Sequence, residues 1–371
     1  MEKPLSRADR DLVNQFNNRF HPEDVSIVPN GRSIEVQLRQ VDLSLMEEVV
    51  SELTESANGG NPLAATLDAV KRIRSYGLKG KKRVYFGYNK ERKVKNRSQK
   101  EKQRGKHFYA KGDSFKKAAN EVPKKFVDKI VCGDSEDVLS NLPDNCVDMV
   151  FTSPPYNFGL DYSKTNDDYD WNEYFEKLFK VFDQCVRVLK YGGRAIVNIQ
   201  PLFSDYIPSH HIISKYFMDK KMIWKGEVIW EKNNYNCKYT AWGSWKSPSN
   251  PYLKYTWEFI EIFCKGDMKK PGAKDNIDIS ADEFKKWVVG KWSVAPERKM
   301  KEYGHPAMFP EEIATRAIKL FSFQGDLILD PFNGAGTTTS VAKKTDRHYL
   351  GIDISKSYCQ TAKKRIRKTL L

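Results

Sequence analysis

Residues 327–342 read LILDPFNGAGTTTSVA. The first four residues form a short apolar strand ending on Asp330. A turn carrying Gly334 and Gly336 follows, and then a helix start. Glycine lets a ligand approach the backbone closely, and a helix N-terminus offers N–H groups with no intrahelical partner. Open α/β sheets bind ligands at the carboxyl ends of their strands, so this turn reads as a ligand site. It has no Walker lysine and does not match Gly-x-Gly-x-x-Gly, which argues against a nucleotide phosphate cradle. The next strand, YLGID (349–353), ends in Asp353. An acid there can accept hydrogen bonds from a ribose, or it can cap the following helix.

Upstream, strands and helices alternate. KIVCGD (129–134) and VDMVFTS (147–153) read as strands. Residues 171–189 read as a helix with Tyr174, Leu178, Val181, Phe182, Cys185 and Val188 on its apolar face. RAIVNI (194–199) is the next strand, after a break at Gly192–Gly193. Apolar runs near 222–230 and 257–264, a helix at about 310–322 and a basic C-terminal helix complete the pattern. This alternation predicts a doubly wound α/β sheet from residue 126 onward.

Residues 1–70 read as a small, mainly helical unit. Ser44 with Glu47 is a capping-box signature, and Leu45, Val49, Val50 and Leu53 form one apolar helical face. A second helix is expected from Asn61–Pro62 to about Gly77. Residues 78–125 read as a basic linker or arm interleaved with Tyr85, Phe86, Tyr88, Phe108 and Tyr109.

The formal charge of +15 is concentrated there. Residues 71–125 hold 21 Lys/Arg and 4 Asp/Glu, against 42 and 44 elsewhere. Such a stretch suits a polyanion, nucleic acid above all; a solvated linker is the alternative. The 371 residues allow two or three domains and a core that needs no disulfide or metal staple. Six cysteines stand singly, with no Cys-x-x-Cys pair, so free thiols are expected and no metal site. No apolar run approaches a membrane span and no signal-peptide core is present, so a cytoplasmic location is expected.

The strand at 147–153 runs into Thr152-Ser153-Pro154-Pro155-Tyr156. Two prolines cannot continue a central strand and fix a rigid loop at its carboxyl end. Ser153 Oγ and the Pro154 carbonyl are two acceptors beside the flat face of Tyr156. That set suits a planar base with an exocyclic amino group, whose N–H groups donate to the two acceptors while the ring stacks. The geometry draws the nitrogen lone pair out of conjugation and makes it nucleophilic.

Together these segments resemble the amino-methylating DNA methyltransferases. Thr152–Tyr156 is similar to their Ser-Pro-Pro-Tyr catalytic motif, and Asp330–Thr338 to their S-adenosylmethionine loop. Asp353 matches the ribose-binding acid, and Gly133-Asp134 a segment of the adenine site. His305–Pro310 resembles the segment before the cofactor loop. The order, catalytic motif before cofactor motif, is that of the β class. The resemblance therefore implies a circularly permuted Rossmann-like methyltransferase sheet over 126–371, with a basic N-terminal extension over 1–125 and a recognition insert at about 200–300. It implies Ser153, Pro154, Pro155 and Tyr156 as catalytic residues. It implies Asp134, Asp330, Phe332, Asn333, Gly334, Gly336, Thr337 and Asp353 as cofactor-binding residues, and no metal.

S-adenosylmethionine as donor implies direct displacement, with positioning and desolvation as the enzyme's work. No Pro-Cys pair is present, so the covalent cytosine-C5 route is not expected. A duplex target must be flipped out of the stack. Serine at 153 favours cytosine N4 over adenine N6. Double-stranded DNA is the expected partner, a cognate restriction endonuclease is an open one, and a monomer or a homodimer is equally compatible. A bacterial, archaeal or phage origin fits. An RNA methyltransferase and a non-catalytic nucleic-acid-binding protein are the rival readings. Residues 200–300 hold an aromatic and amide cluster, including Trp224, Trp230, Asn233, Asn234, Tyr235, Tyr239, Trp242 and Trp245. Residues 241–251 resemble a family loop near the target-base pocket, although core packing explains any single aromatic as well.

Overall fold

The computed structural model describes residues 6–22, 24–30, 33–38, 43–54, 62–71, 75–79, 82–86, 99, 107–110, 114–157, 161–162, 165–166, 170–201, 206–233, 242–253, 255–298 and 300–368. The chain divides into two compact units, Met1–Arg104 and Gly105–Leu371.

The first unit contains α1 (Arg7–Asn17), the antiparallel pair β1 (Val25–Asn30) and β2 (Ser33–Leu38), α2 (Leu43–Thr54), α3 (Pro62–Lys71), and the antiparallel pair β3 (Ser75–Lys79) and β4 (Lys82–Phe86). Helix α1 starts with a reciprocal capping box between Ser6 and Asp9. Asn17 grips β1 through both bonds of its amide to the Ile27 backbone. Val13, Phe16, Val25, Ile27, Met46, Val49, Val50, Leu63 and Val70 form the core.

Three expectations change here. Helix α2 begins at Leu43, so Ser44 lies inside it rather than capping it. Leu45 is exposed and Met46 takes its place in the core, because 46, 49, 50 and 53 (i, i+3, i+4, i+7) centre on one face and 45 lies about 90° to its side. Helix α3 stops at Lys71 and Gly77 belongs to β3, so the unit is less helical than expected. The alternating apolar residues of SIEVQL carry the period-2 signal of a strand. Asn61, Tyr88 and much of the expected basic arm lie outside the described residues.

The second unit comprises β5 (Lys129–Cys132), α4 (Ser135–Ser140), β6 (Val147–Thr152), the short pair β7 (Asp161–Tyr162) and β8 (Thr165–Asn166), α5 (Trp171–Val188), β9 (Leu189–Ile199), α6 (Ser209–Asp219), β10 (Ile223–Glu231), β11 (Trp257–Cys264), α7 (Ala281–Trp287), β12 (Lys291–Ser293), α8 (Met300–Tyr303), α9 (Glu311–Phe321), β13 (Leu327–Asp330), α10 (Thr337–Lys344), β14 (His348–Asp353) and α11 (Lys356–Lys368). Eight strands form one sheet in the order β12-β10-β11-β9-β6-β13-β14-β5. Strands β9, β6, β13, β14 and β5 are parallel, while β11 runs antiparallel to both β9 and β10. The carboxyl ends of the parallel strands therefore share one edge with the amino end of β11.

Strand β6 is buried at every residue, and its alternation feeds two cores. Val150 joins Leu178, Phe182, Val197, Leu329 and Leu350 on one face of the sheet. Met149 and Phe151 join Ile196, Ile313, Ala317, Ile328 and Val341 on the other. The expected break at Gly192–Gly193 is absent: β9 continues through both glycines, and the irregularity appears as a register shift against β6 between Val147 and Met149. Packing also carries this unit further upstream than 126. Phe115 and Val122 lie against its core, and Tyr109 Oη accepts from the Trp224 backbone N–H at 2.7 Å.

Cys132, Cys146, Cys185, Cys264 and Cys359 are free thiols, while Cys237 lies outside the described residues. Among the described residues no helix is long and apolar enough to cross a membrane.

Candidate active site

The chain leaves the sheet after Thr152 and turns through Ser153-Pro154-Pro155-Tyr156. Tyr174 on α5 donates its hydroxyl to the Pro155 carbonyl at 2.6 Å, which fixes the loop from outside. The Pro154 carbonyl has no such partner among the described residues. Ser153 Oγ lies 3.2 Å from Tyr156 Oη, and Tyr156 Oη donates to Glu258 Oε2 at 3.0 Å. The ring of Tyr156 is buried, and its polar end is built into this network.

The neighbouring parallel strand β13 ends on Asp330. Its Oδ1 accepts from Thr152 Oγ1 at 2.6 Å and from the Phe332 N–H at 3.1 Å. One carboxylate thus ties the end of the proline loop's strand to the start of the glycine loop. Burial pushes the Asp330 carboxyl up to about 6, against the pull of these donors.

The glycine loop then closes on β14. Gly334 takes φ of +48° and donates its N–H to Asp353 Oδ2 at 2.7 Å, while Asp353 Oδ1 accepts from the Ser355 N–H at 2.8 Å. Burial also raises the Asp353 carboxyl. Each carboxylate oxygen still has a lone pair for a further donor. Asn333 Oδ1 accepts from Thr339 Oγ1 at 2.9 Å, and its buried Nδ2 has no partner among the described residues. A side chain at Gly334 would come within 2.6 Å of the His305 ring. That ring packs 4.5 Å from Tyr358, and burial lowers its pKa to about 4, so it stands neutral beside the loop.

These parts wall one cavity of about 730 Å³, well within the usual size of a ligand site. Ser153, Pro154, Pro155, Tyr156, Asp134, Asp330, Phe332, Asn333, Gly334, Thr337 and Asp353 all line it. Gly336 does not. It caps α10 at φ +81°, and a Cβ there would meet Ala362 at 2.8 Å, so its place is in the packing of α10 on α11. Asp134 lines the cavity while its Oδ1 caps α4 through the Glu136 N–H at 2.8 Å. Thr337 accepts from Arg365 at 3.1 Å.

Sequence reasoning missed the opposite wall. Gln200 follows β9, Lys232 follows β10 and Glu258 is the second residue of β11, and they join Trp230 near the end of β10. The available signal was a charged residue inside the apolar run WEFIEIFC. Of the aromatic cluster, Trp230 lines the cavity. Trp242 and Trp245 stand exposed, edge to face, and are not in its wall. Asn234, Tyr235 and Tyr239 lie outside the described residues.

The cavity suits S-adenosylmethionine. A carboxylate with spare lone pairs and a glycine backbone free of side chains match an elongated, hydroxyl-bearing nucleoside. Among the described residues no group of three or more His, Cys, Asp and Glu side chains could hold a metal ion.

Comparison with known proteins agrees with this reading. The N6_N4_Mtase family model, described as DNA methylase, matches residues 147–364. The type II methyltransferase M.BglII of Bacillus subtilis is 30% identical over 252 residues, covering 65% of this chain and 69% of the relative. M.HpaI of Haemophilus parainfluenzae is 28% identical over 249 residues, covering 64% and 74%. Among solved structures, TTHA0409 of Thermus thermophilus, a candidate DNA modification methylase complexed with S-adenosyl-L-methionine, superposes with a TM-score of 0.53. It is 25% identical and covers 65% of this chain and 95% of that one. Most of the cavity's wall lies within the matched residues, and the chain belongs to the N6/N4 DNA methylase family.

Proposed function

We propose that the protein methylates the exocyclic N4 of cytosine in double-stranded DNA, at a specific site, after the base has been flipped from the stack. The observation that carries the choice of base is Ser153, a neutral hydroxyl at the first position of the proline loop. Type II modification, the activity named for M.BglII and M.HpaI, is the setting we infer.

The methyl donor is S-adenosylmethionine, which when bound supplies an electrophilic sulfonium methyl group. Asp353 would accept from its ribose hydroxyls, and Asn333 lines the cavity beside it. Asp134 and Phe332 line the same wall. Gly334 keeps the backbone close to the ligand. Asp330, Gly336 and Thr337 act on the loop from behind through the bonds and packing described above.

On the other side, Ser153 Oγ and the Pro154 carbonyl accept the two amino hydrogens of the base. Pro155 holds the turn, and Tyr156 contributes its ring face. This arrangement orients the nitrogen lone pair toward the donor. The order along the chain, with β6 before β13, supports the circularly permuted reading. The basic N-terminal segment adds phosphate contacts, and the wall formed by Gln200, Trp230, Lys232 and Glu258 belongs to the region we assign to target recognition.

Mass spectrometry of nucleosides from DNA incubated with the protein and S-adenosylmethionine tests the reading. N4-methylcytosine is the expected product. N6-methyladenine overturns the choice of base, and neither product on DNA, with a methylated base on RNA, overturns the choice of substrate.

A further inference from the structure

The hydroxyl of Tyr156 does something that stacking does not need. It sits in a chain of hydrogen bonds that starts on an ion pair between half-buried Lys232 and buried Glu258. Lys232 Nζ lies 2.5 Å from Glu258 Oε1, and Lys232 also donates to Gln200 Oε1 at 3.1 Å. Asn198 Nδ2 donates to Glu258 Oε2 at 2.5 Å, and Tyr156 Oη donates to the same oxygen at 3.0 Å. Glu258 and Asn198 are 4% and 1% exposed.

A carboxylate accepts and never donates. The single hydroxyl proton of Tyr156 is therefore committed to Glu258. At the 3.2 Å contact with Ser153, Tyr156 has no proton to give, so Ser153 must be the donor. Its own proton is then directed away from the base, and both lone pairs of its oxygen remain for accepting. The polarity of the whole chain follows from the charge at its far end.

We propose that Glu258, held by Lys232 and Asn198, is a positioning residue for methyl transfer: acting through the Tyr156 hydroxyl, it fixes Ser153 as a hydrogen-bond acceptor for the target amino group. This rests on the reading of Ser153 given under Proposed function. In the buried setting each bond polarises the next, and an alternative arrangement leaves a polar group unpaired.

Glu258→Gln inverts the chain at nearly constant shape. The amide must keep its oxygen on the Lys232 ammonium, so its NH2 faces Asn198 Nδ2 and Tyr156 Oη. Tyr156 then accepts, and its proton swings to Ser153. The serine oxygen loses one lone pair, and its own proton turns into the cavity against the amino group.

The test is a double-mutant cycle of Glu258→Gln and Tyr156→Phe in the full-length protein. Single-turnover transfer from labelled S-adenosylmethionine to whole-genome-amplified, unmethylated bacterial DNA is measured, together with calorimetric affinity for S-adenosylmethionine. Glu258→Gln is expected to slow transfer about 10- to 100-fold, with cofactor affinity within about 2-fold, since one charge-assisted bond to the reacting group is disturbed. On the Tyr156→Phe background the same substitution should slow transfer by less than about 2-fold, because the hydroxyl that transmits its effect is gone.

Equal slowing on both backgrounds overturns the proposal, as does an unchanged rate for the single variant. If Glu258→Gln fails to bind the cofactor, Tyr156→Phe decides alone. It should lower the rate about 10-fold at unchanged KM for DNA, and a full rate overturns the proposal. Ser153→Ala separates the two levels. A wild-type rate there removes the acceptor reading itself, whereas a slow Ser153→Ala with multiplicative cycle effects removes the role of Glu258 alone.

Discussion

Asp330 joins the two halves of the cavity at a cost that depends on pH, and that cost can be measured. The carboxyl is fully buried, and its pKa rises from the ordinary 3.8 to about 6. At about 1.4 kcal/mol per decade, the difference is worth about 3 kcal/mol between the two protonation states. Because the folded pKa is the higher one, the folded state binds the proton more tightly. Below pH 3.8 both states hold it and there is no cost. Between 3.8 and about 6 the unfolded chain loses its proton first and the folded state is progressively disfavoured. Above about 6 the full cost is present. The cost is thus about 1 kcal/mol at pH 4.5 and about 3 kcal/mol at pH 7.5. Asp330→Asn keeps an oxygen for Thr152 Oγ1 and the Phe332 N–H but cannot ionise. Thermal melting of both proteins between pH 4.5 and 7.5 cancels the other titrating groups in the difference curve. The wild type should lose about 2 kcal/mol relative to the variant as pH rises, roughly 4–8 °C in Tm for a unit of this size. A difference that stays flat, or that grows toward low pH, would refute the assignment of Asp330 as a buried carboxyl strained by desolvation. Asp330→Ala should destabilise at every pH, because the bonds to Thr152 and Phe332 are lost together.

Other expectations follow from the same geometry. Ser153→Ala should reduce the transfer rate about 10- to 100-fold while calorimetric affinity for S-adenosylmethionine changes by less than about 2-fold, since Ser153 is proposed to accept from the base rather than to bind the cofactor. Asp353→Ala should weaken S-adenosylmethionine binding about 10- to 100-fold, with Asp353→Asn intermediate because it keeps one acceptor; unchanged affinity in both would remove Asp353 from the cofactor site. Deleting residues 1–104, at the boundary between the compact units, should raise the DNA dissociation constant and flatten its dependence on salt between 50 and 200 mM. An unaltered salt slope would show that the basic stretch does not contact phosphate.

The sheet and both loops were legible in the sequence for a physical reason. Central parallel strands are buried on both faces, so VDMVFT and LILD stand out as uninterrupted apolar runs, and prolines or glycines mark where each leaves the sheet. Ser153, Pro154 and Asp353 lie at the ends of those runs and could be named with them. The wall made by Gln200, Lys232 and Glu258 could not, because each belongs to a different strand and no short-range pattern links residues 200, 232 and 258. Their meeting depends on β11 running against its neighbours, which brings its first residues to the edge where β9 and β10 end. Gly336 shows a different ambiguity. A glycine that serves a left-handed helix cap against Ala362 looks in sequence like one that admits a ligand. In the first unit, Met46 displaced Leu45 from the core because the choice between adjacent apolar residues depends on the helix's rotation against its neighbours.

The position of β6 explains how one cavity can serve two ligands that need different chemistry. To one side lie β13, β14 and β5, and the residues proposed for the cofactor lie at or just past the carboxyl ends of these strands: Asp134 after β5, Asn333 and Gly334 after β13, Asp353 at the end of β14. To the other side lie β9, β11 and β10, which supply Asn198, Gln200, Glu258, Trp230 and Lys232. Ser153–Tyr156 emerges between them and is bonded to both sides, through Thr152 to Asp330 and through Tyr156 to Glu258. Strand adjacency places these groups, whatever the order of the motifs along the chain, so a separation of 178 positions between Thr152 and Asp330 is no obstacle to a 2.6 Å bond. The same layout lets the base-side wall change without disturbing the cofactor side. Substitutions at Gln200 or Lys232 should alter which base is accepted and how fast it reacts while leaving S-adenosylmethionine affinity in place, and the reverse should hold for Asn333. Coupling between the two sides should appear at Asp330, which bonds the end of the proline loop's strand to the start of the glycine loop, so that one substitution reaches both ligands.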